Sequence, residues 1–231
     1  MIKLANPAIL AAGLLLGSSS ESAAQTVPPN TPEEVGRLLA VLKSSGASHK
    51  EKVDACRGLA VIGTKEAVPV LAPLLADEQL SHMARYALEP IPDKSVDGVL
   101  RRALDKLHGR LLAGVVASVG VRRDAEAVPQ LIRLLGNSDT AVASAAARSL
   151  GKIATPEAAA ALLGRLAKAK GLVRLAVADA CLACAEARLA QKQPEEAAAI
   201  YGAVGKANLP KHFRVAAMQG ALRARRARQG K

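Results

Sequence analysis

Between Leu111 and Leu166 one plan is written twice. An apolar, alanine-rich stretch runs to Gly120 or Gly151, and a short turn comes after it. A second apolar stretch then passes through Ala127-Val128-Pro129-Gln130-Leu131 or Glu157-Ala158-Ala159-Ala160-Ala161-Leu162. The plan recurs upstream at Val61-Ile62-Gly63 with Ala67-Val68-Pro69-Val70-Leu71, and more weakly from Pro90 to Leu100. With Pro69, Gly98, Pro129 and Ala160 as equivalent positions, the spacings are 29, 31 and 31 residues, the length of two short helices and two turns. One such hairpin cannot bury both of its apolar faces, whereas stacked neighbours share a continuous core. The predicted fold is therefore all-α, an α–α superhelix of stacked antiparallel helix pairs. Ala141, Ala143, Ala145, Ala146 and Ala147 suit close helix approach at little entropic cost. With one Phe and two Tyr in 231 residues, the core must be made of Leu, Val and Ala. The competing arrangement is an alanine-rich bundle without superhelical order; the recurring turns favour the stack.

Gly63–Leu75, Gly120–Leu135 and Asn137–Leu163 resemble HEAT repeats, in particular the short HEAT-like repeats named after phycobilisome lyases. The resemblance covers residues 50–170 well and 171–231 poorly. It implies a solenoid and no one activity, because most such repeats serve as scaffolds or binding surfaces. A few relatives attach bilin chromophores. Ala183–Ala190 with Glu196–Tyr201 resembles a tetratricopeptide hairpin more closely, although the full signature of that repeat is not met.

Four segments are expected. Residues 1–24 read as an export signal, with Lys3 as the basic start, Ala8–Leu16 as the apolar stretch and Ser22-Ala23-Ala24 as a small-residue cleavage site before Gln25. That apolar stretch is too short to span a membrane, so no transmembrane segment is expected in the mature chain. The competing reading is a disordered cytoplasmic start. Residues 25–48 are a lead-in and a capping helix, residues 49–170 the HEAT-like repeats, and residues 171–231 a C-terminal helical repeat with a basic tail.

Local signals fix several helices. Thr31-Pro32-Glu33-Glu34 combines a cap, a proline at the first helical position and an acidic residue three after the cap. Glu51–Ile62 carries a stripe of Val53, Cys56, Leu59 and Ala60, and Thr64–Leu75 is its mate. Pro69 and Pro129 are tolerable only near the first turns of their helices. Glu89-Pro90-Ile91-Pro92 breaks the chain towards extended backbone, and Asp93 caps the next helix. Val173–Leu189 reads as one long helix, and Pro210 opens a last one carrying Phe213, Val215, Ala216, Met218 and Leu222.

The charge balance of 32 basic against 20 acidic residues, net +12, favours anionic partners. Val121-Arg122-Arg123-Asp124-Ala125 widens its turn by three residues relative to the first pair. Arg122 and Arg123 there are either a solvated turn or a contact for a carboxylate or phosphate. Arg223, Arg225, Arg226 and Arg228 form the densest basic run. They are either a solvated helix end, favourable to the dipole, or a site for anionic lipid headgroups or polysaccharide. Phosphate contacts to nucleic acid need only such charge, but export argues against that partner.

No catalytic centre, cofactor or metal site can be assigned. His49, His82, His108 and His212 share no register. Cys181-Leu182-Ala183-Cys184 lies in a helix interior, where two small buried residues are the plainer reading and a redox pair or half a metal site the other. Cys56 makes the thiol count odd. Asp93 with Asp97, and Asp124 with Glu126, have no nucleophile or histidine nearby, and no phosphate-loop or hydrolase motif occurs. The expected function is a non-catalytic exported interaction scaffold or accessory subunit, in the periplasm or outside the cell, for a protein with an acidic surface. The alternatives are a chromophore lyase-like enzyme working through Cys184 or a histidine, and a binder of anionic lipid or cell-envelope polymer.

Overall fold

The computed structural model describes residues 31–229. The expected signal segment and the lead-in up to residue 30 lie outside the described residues. Twelve α-helices succeed one another among those residues: α1 (Pro32–Lys43), α2 (His49–Ile62), α3 (Val68–Leu71), α4 (Ser81–Leu88), α5 (Lys94–Leu104), α6 (Gly109–Arg122), α7 (Val128–Leu134), α8 (Thr140–Ile153), α9 (Pro156–Leu166), α10 (Gly171–Ala190), α11 (Pro194–Lys206) and α12 (Lys211–Gln229). Short polar side chains start many of them. Thr31, Asp93, Asp139 and Thr155 each accept a hydrogen bond from a first-turn N–H, and Ser48 with Glu51 closes a reciprocal capping box.

The helices form two layers. In the first, α4 packs on α2, α6 on α4, α8 on α6, α10 on α8 and α12 on α10. In the second, α3 packs on α1, α5 on α3, α9 on α7 and α11 on α9. Between α5 and α7 the link is polar: the Gln130 amide donates to the Arg101 carbonyl at 3.2 Å and to the Asp105 carboxylate at 2.8 Å. The chain is thus an all-α solenoid, and the alternation of layers runs on through the last third, including the hairpin with tetratricopeptide-like features. α1 packs against the first hairpin, with Leu38 resting over Gly58 of α2.

Prolines sit where their chemistry allows. Pro69 and Pro129 each occupy the second residue of their helix, where no intrahelical N–H bond is lost. The mate expected as one helix from Thr64 to Leu75 is instead broken into a 3-10 turn (Lys65–Ala67), α3, and a second 3-10 turn (Ala72–Ala76). Pro73 has no N–H to continue the ladder, and its ring would meet the carbonyl four residues back.

Gly120 and Gly151 do not end their helices. α6 continues to Arg122 and α8 to Ile153, and the left-handed caps are Arg123 and Ala154, with φ of 53° and 54°. Most of the three extra residues of the widened turn are therefore taken up as added helix in α6. The glycines are contact points. A Cβ on Gly120 would lie 2.7 Å from the Ser149 Cα, and one on Gly151 would lie 2.8 Å from the Ala180 Cα. Polar bonds run along the same seam. Ser149 Oγ donates to the Val116 carbonyl at 2.7 Å, and Arg85 donates to the Gly114 carbonyl at 3.3 Å. These bonds join residues 33 and 29 apart, close to the repeat length read from the sequence.

Gly120→Ala and Gly151→Ala should each cost about 1–3 kcal/mol through overpacking against a neighbouring backbone. Gly164→Ala, in α9 with nothing within 4 Å of the new Cβ, should instead gain up to about 1 kcal/mol of helix propensity. Urea unfolding monitored by circular dichroism measures all three.

Candidate partner-binding surface

Adjacent arginines at the end of α6 take opposite roles. Arg122 is built into the fold. Its Nη1 donates to the carbonyls of Glu89 at 2.9 Å and Ile91 at 2.7 Å, its Nη2 donates to the Asp93 carbonyl at 3.1 Å, and its Nε pairs with the Asp97 carboxylate. The cause lies upstream. Pro90 and Pro92 hold that connection in a non-helical path, so its carbonyls need partners from elsewhere. The planar five-donor guanidinium supplies them at once. With its side chain 11 % exposed, Arg122 is not available as a partner contact. Arg123 caps the same helix in the left-handed region, and its side chain is exposed.

Arg188 repeats the device two repeats later, on α10. It is 4 % exposed and donates to the carbonyl of Ala154, the left-handed cap of α8, and to the side chains of Gln191 and Gln193 at 3.2 and 3.0 Å. Held there, α10 runs on past the end of α8. An open groove of about 600 Å³ results, lined by Arg123, Gly151, Lys152, Ala183, Glu186 and Ala190 among others. Small residues make up half of its lining, and Arg123, Lys152, Glu186 and Gln191 make up the rest. Neither Arg123 nor Lys152 forms an ion pair with any described residue.

Glu186, on the rim, pairs with Arg223 of α12. The structure thus brings two of the sequence-predicted arginines, Arg123 and Arg223, to one surface. Arg228 lies 3.5 Å from Glu195. Arg225 and Arg226 are exposed and have no ion pair among the described residues. Lys152 and Glu186 are site residues that sequence reasoning did not single out. Neither stands at the register position of Arg123, which one repeat on is the left-handed cap Ala154, so the repeat alone did not point to them.

Charge is divided unevenly along the stack. Residues 1–126 hold 15 basic and 14 acidic side chains, whereas residues 127–231 hold 17 basic and 6 acidic. Nearly all of the net charge therefore belongs to the half that begins at the groove.

The three cysteines are free and buried. Cys181 and Cys184 are buried in α10, and burial pushes their thiols up to about 12 and about 11. Cys184 Sγ sits 3.9 Å from the carbonyls of Leu150 and Gly151, on the seam with α8. Cys56 is likewise buried and pushed up to about 11. A thiol so placed carries no appreciable thiolate at neutral pH. Among the described residues no group of three His, Cys, Asp or Glu side chains comes together to hold a metal.

Residues 96–181 match the family model described as HEAT repeats. No curated protein matches the chain. Two solved structures, both crystal structures of engineered proteins from a structural genomics consortium, are similar to it. The first is 21 % identical with a TM-score of 0.49, over 84 % of this chain and 97 % of that one. The second is 22 % identical with a TM-score of 0.47, over 84 % of this chain and 57 % of that one, so this chain spans little more than half of its length.

This geometry has two measurable outcomes. Arg122→Met should cost about 3 kcal/mol, since it strands the Asp97 carboxylate and the proline-flanked carbonyls, and Arg122→Lys should restore only part of this because an ammonium lacks the fork; denaturation midpoints measure both. In the native protein all three thiols should resist Ellman's reagent at pH 8 and react fully once urea unfolds the chain.

Proposed function

From the premise that this is a HEAT-like repeat protein, we propose that it is a non-catalytic exported scaffold or accessory subunit. It engages an acidic protein through the groove bounded by Arg123 and Lys152. The observation that carries this reading is the groove itself, where two cations without ion-pair partners stand among glycine, alanine and Gln191, and the one carboxylate, Glu186, is already paired with Arg223. Such a surface admits a polypeptide closely and offers it charge. Export is supported by Lys3, the apolar Ala8–Leu16 and the small residues Ser22-Ala23-Ala24. A role in binding suits a stacked repeat, whose long surface is its main asset.

Arg123→Gly separates charge from fold, because glycine accepts the left-handed cap without strain. We expect Arg123→Gly with Lys152→Gln to leave the thermal midpoint equal or higher. The same variant should lose, by about tenfold or more, the acidic protein that the native chain captures by crosslinking in an exporting host, as quantified by mass spectrometry. Capture should also fall at high salt. Undiminished capture by the variant would remove the groove as the binding site, and capture without any preference for acidic partners would remove the electrostatic reading.

A further inference from the structure

α12 has two faces of opposite character. Phe213, Ala217, Gly220 and Ala224 are buried, and a Cβ on Gly220 would strike the Tyr201 ring of α11. On the opposite side Val215, Met218 and Leu222 are 37, 59 and 51 % exposed. At helical spacing these three form one row directly across from the buried one. Lys211 and Arg226 extend the same row at its two ends, and Arg214 and Arg225 stand along one flank. All four are exposed and make no ion pair with any described residue. α12 contains no Asp or Glu.

An apolar row enclosed by cations excludes some occupants. A second copy docking face to face would set like charges against each other with no acid to pair them. The row also stands on the crest of a helix, as flexible Met and Leu side chains among long arginines whose stems are apolar and whose heads are charged. That combination fits a fluid, continuous anionic plane better than a shaped cleft.

We infer that the outer face of α12 docks on an anionic lipid surface. Val215, Met218 and Leu222 enter the boundary between headgroups and acyl chains, and Lys211, Arg214, Arg225 and Arg226 reach lipid phosphates. The helix lies in the interface and does not cross it; no helix among the described residues is long and apolar enough to do so. This face lies outside the Arg123 groove, so lipid and protein partner do not compete for the same residues.

The test uses the purified chain and vesicles of equal parts phosphatidylglycerol and phosphatidylcholine, with pure phosphatidylcholine vesicles as the control. The chain should sediment with the mixed vesicles and not with the control. Met218→Ser with Leu222→Ser alters only exposed positions and should weaken sedimentation at least about tenfold. Arg225→Gln with Arg226→Gln should weaken it about tenfold or more. The protein has no tryptophan, so Met218→Trp supplies a single probe. Its emission should shift to the blue with mixed vesicles and be quenched by brominated acyl chains. Three results would each overturn the inference: no sedimentation with the mixed vesicles, sedimentation unchanged in the serine variant, or a tryptophan that stays in water while the chain is bound. The second result, with equal retention of native and serine variants on heparin, would reassign the face to polyanions. An acidic protein whose capture depends on Met218 and Leu222 rather than on Arg123, without vesicle binding, would reassign it to a protein. Arg123→Gly with Lys152→Gln should leave vesicle binding intact, so failure of the groove proposal and failure of this one are read separately.

Discussion

The first-layer helices approach until backbone meets backbone, and the stack depends on that closeness. Gly120 faces Ser149, and Gly151 faces the Ala180 backbone, with no room for a methyl group at either point. At such separation the core can be built mainly from alanine, valine and leucine, with Ile91, Ile200, Tyr201 and Phe213 as the larger exceptions. Small side chains bury little area each, so stability must come from continuity. Each helix is covered by the next, and polar bonds between successive helices of a layer recur close to the repeat length. Arg122 and Arg188 extend the same logic to the turns, where carbonyls that no helix can use are gathered by a guanidinium from the next repeat along.

Much of this was legible in the sequence. The two-helix period, the capping residues, the positions of Pro69 and Pro129, and the single long helix after Lys170 come from local chemistry, and the structure has all of them. The helices expected to end near Gly120 and Gly151 run two residues on, to Arg122 and Ile153; a glycine needed for close approach and a glycine needed for a left-handed cap are spelled alike. Only the neighbour's position tells them apart. The chain caps those helices with Arg123 and Ala154, which carry no such signal.

The arginine pair and the last helix teach the same lesson about direction. Arg122 and Arg123 are adjacent and identical, yet one is inserted among the Pro90–Pro92 carbonyls and the other is free. In α12 hydropathy points the wrong way. Apart from Phe213 the buried row is alanine and glycine, and the Val215–Met218–Leu222 row is exposed, because the Tyr201 ring leaves space only for glycine at position 220. Burial here is decided by the volume available between helices, which no single helix encodes. The groove was hidden for a related reason. Arg123, Lys152 and Glu186 come from three different helix ends, and only the stack puts them side by side.

The uneven placement of charge has a consequence for how the molecule travels. One half is almost neutral and the other strongly basic. A large anionic body therefore acts on this chain with a turning moment as well as an attraction, and the moment is felt within a Debye length of about 10 Å. The basic end swings forward before any contact forms, and the end carrying α1 trails. Orientation is set during approach, so an encounter begins with the arginines already facing the partner.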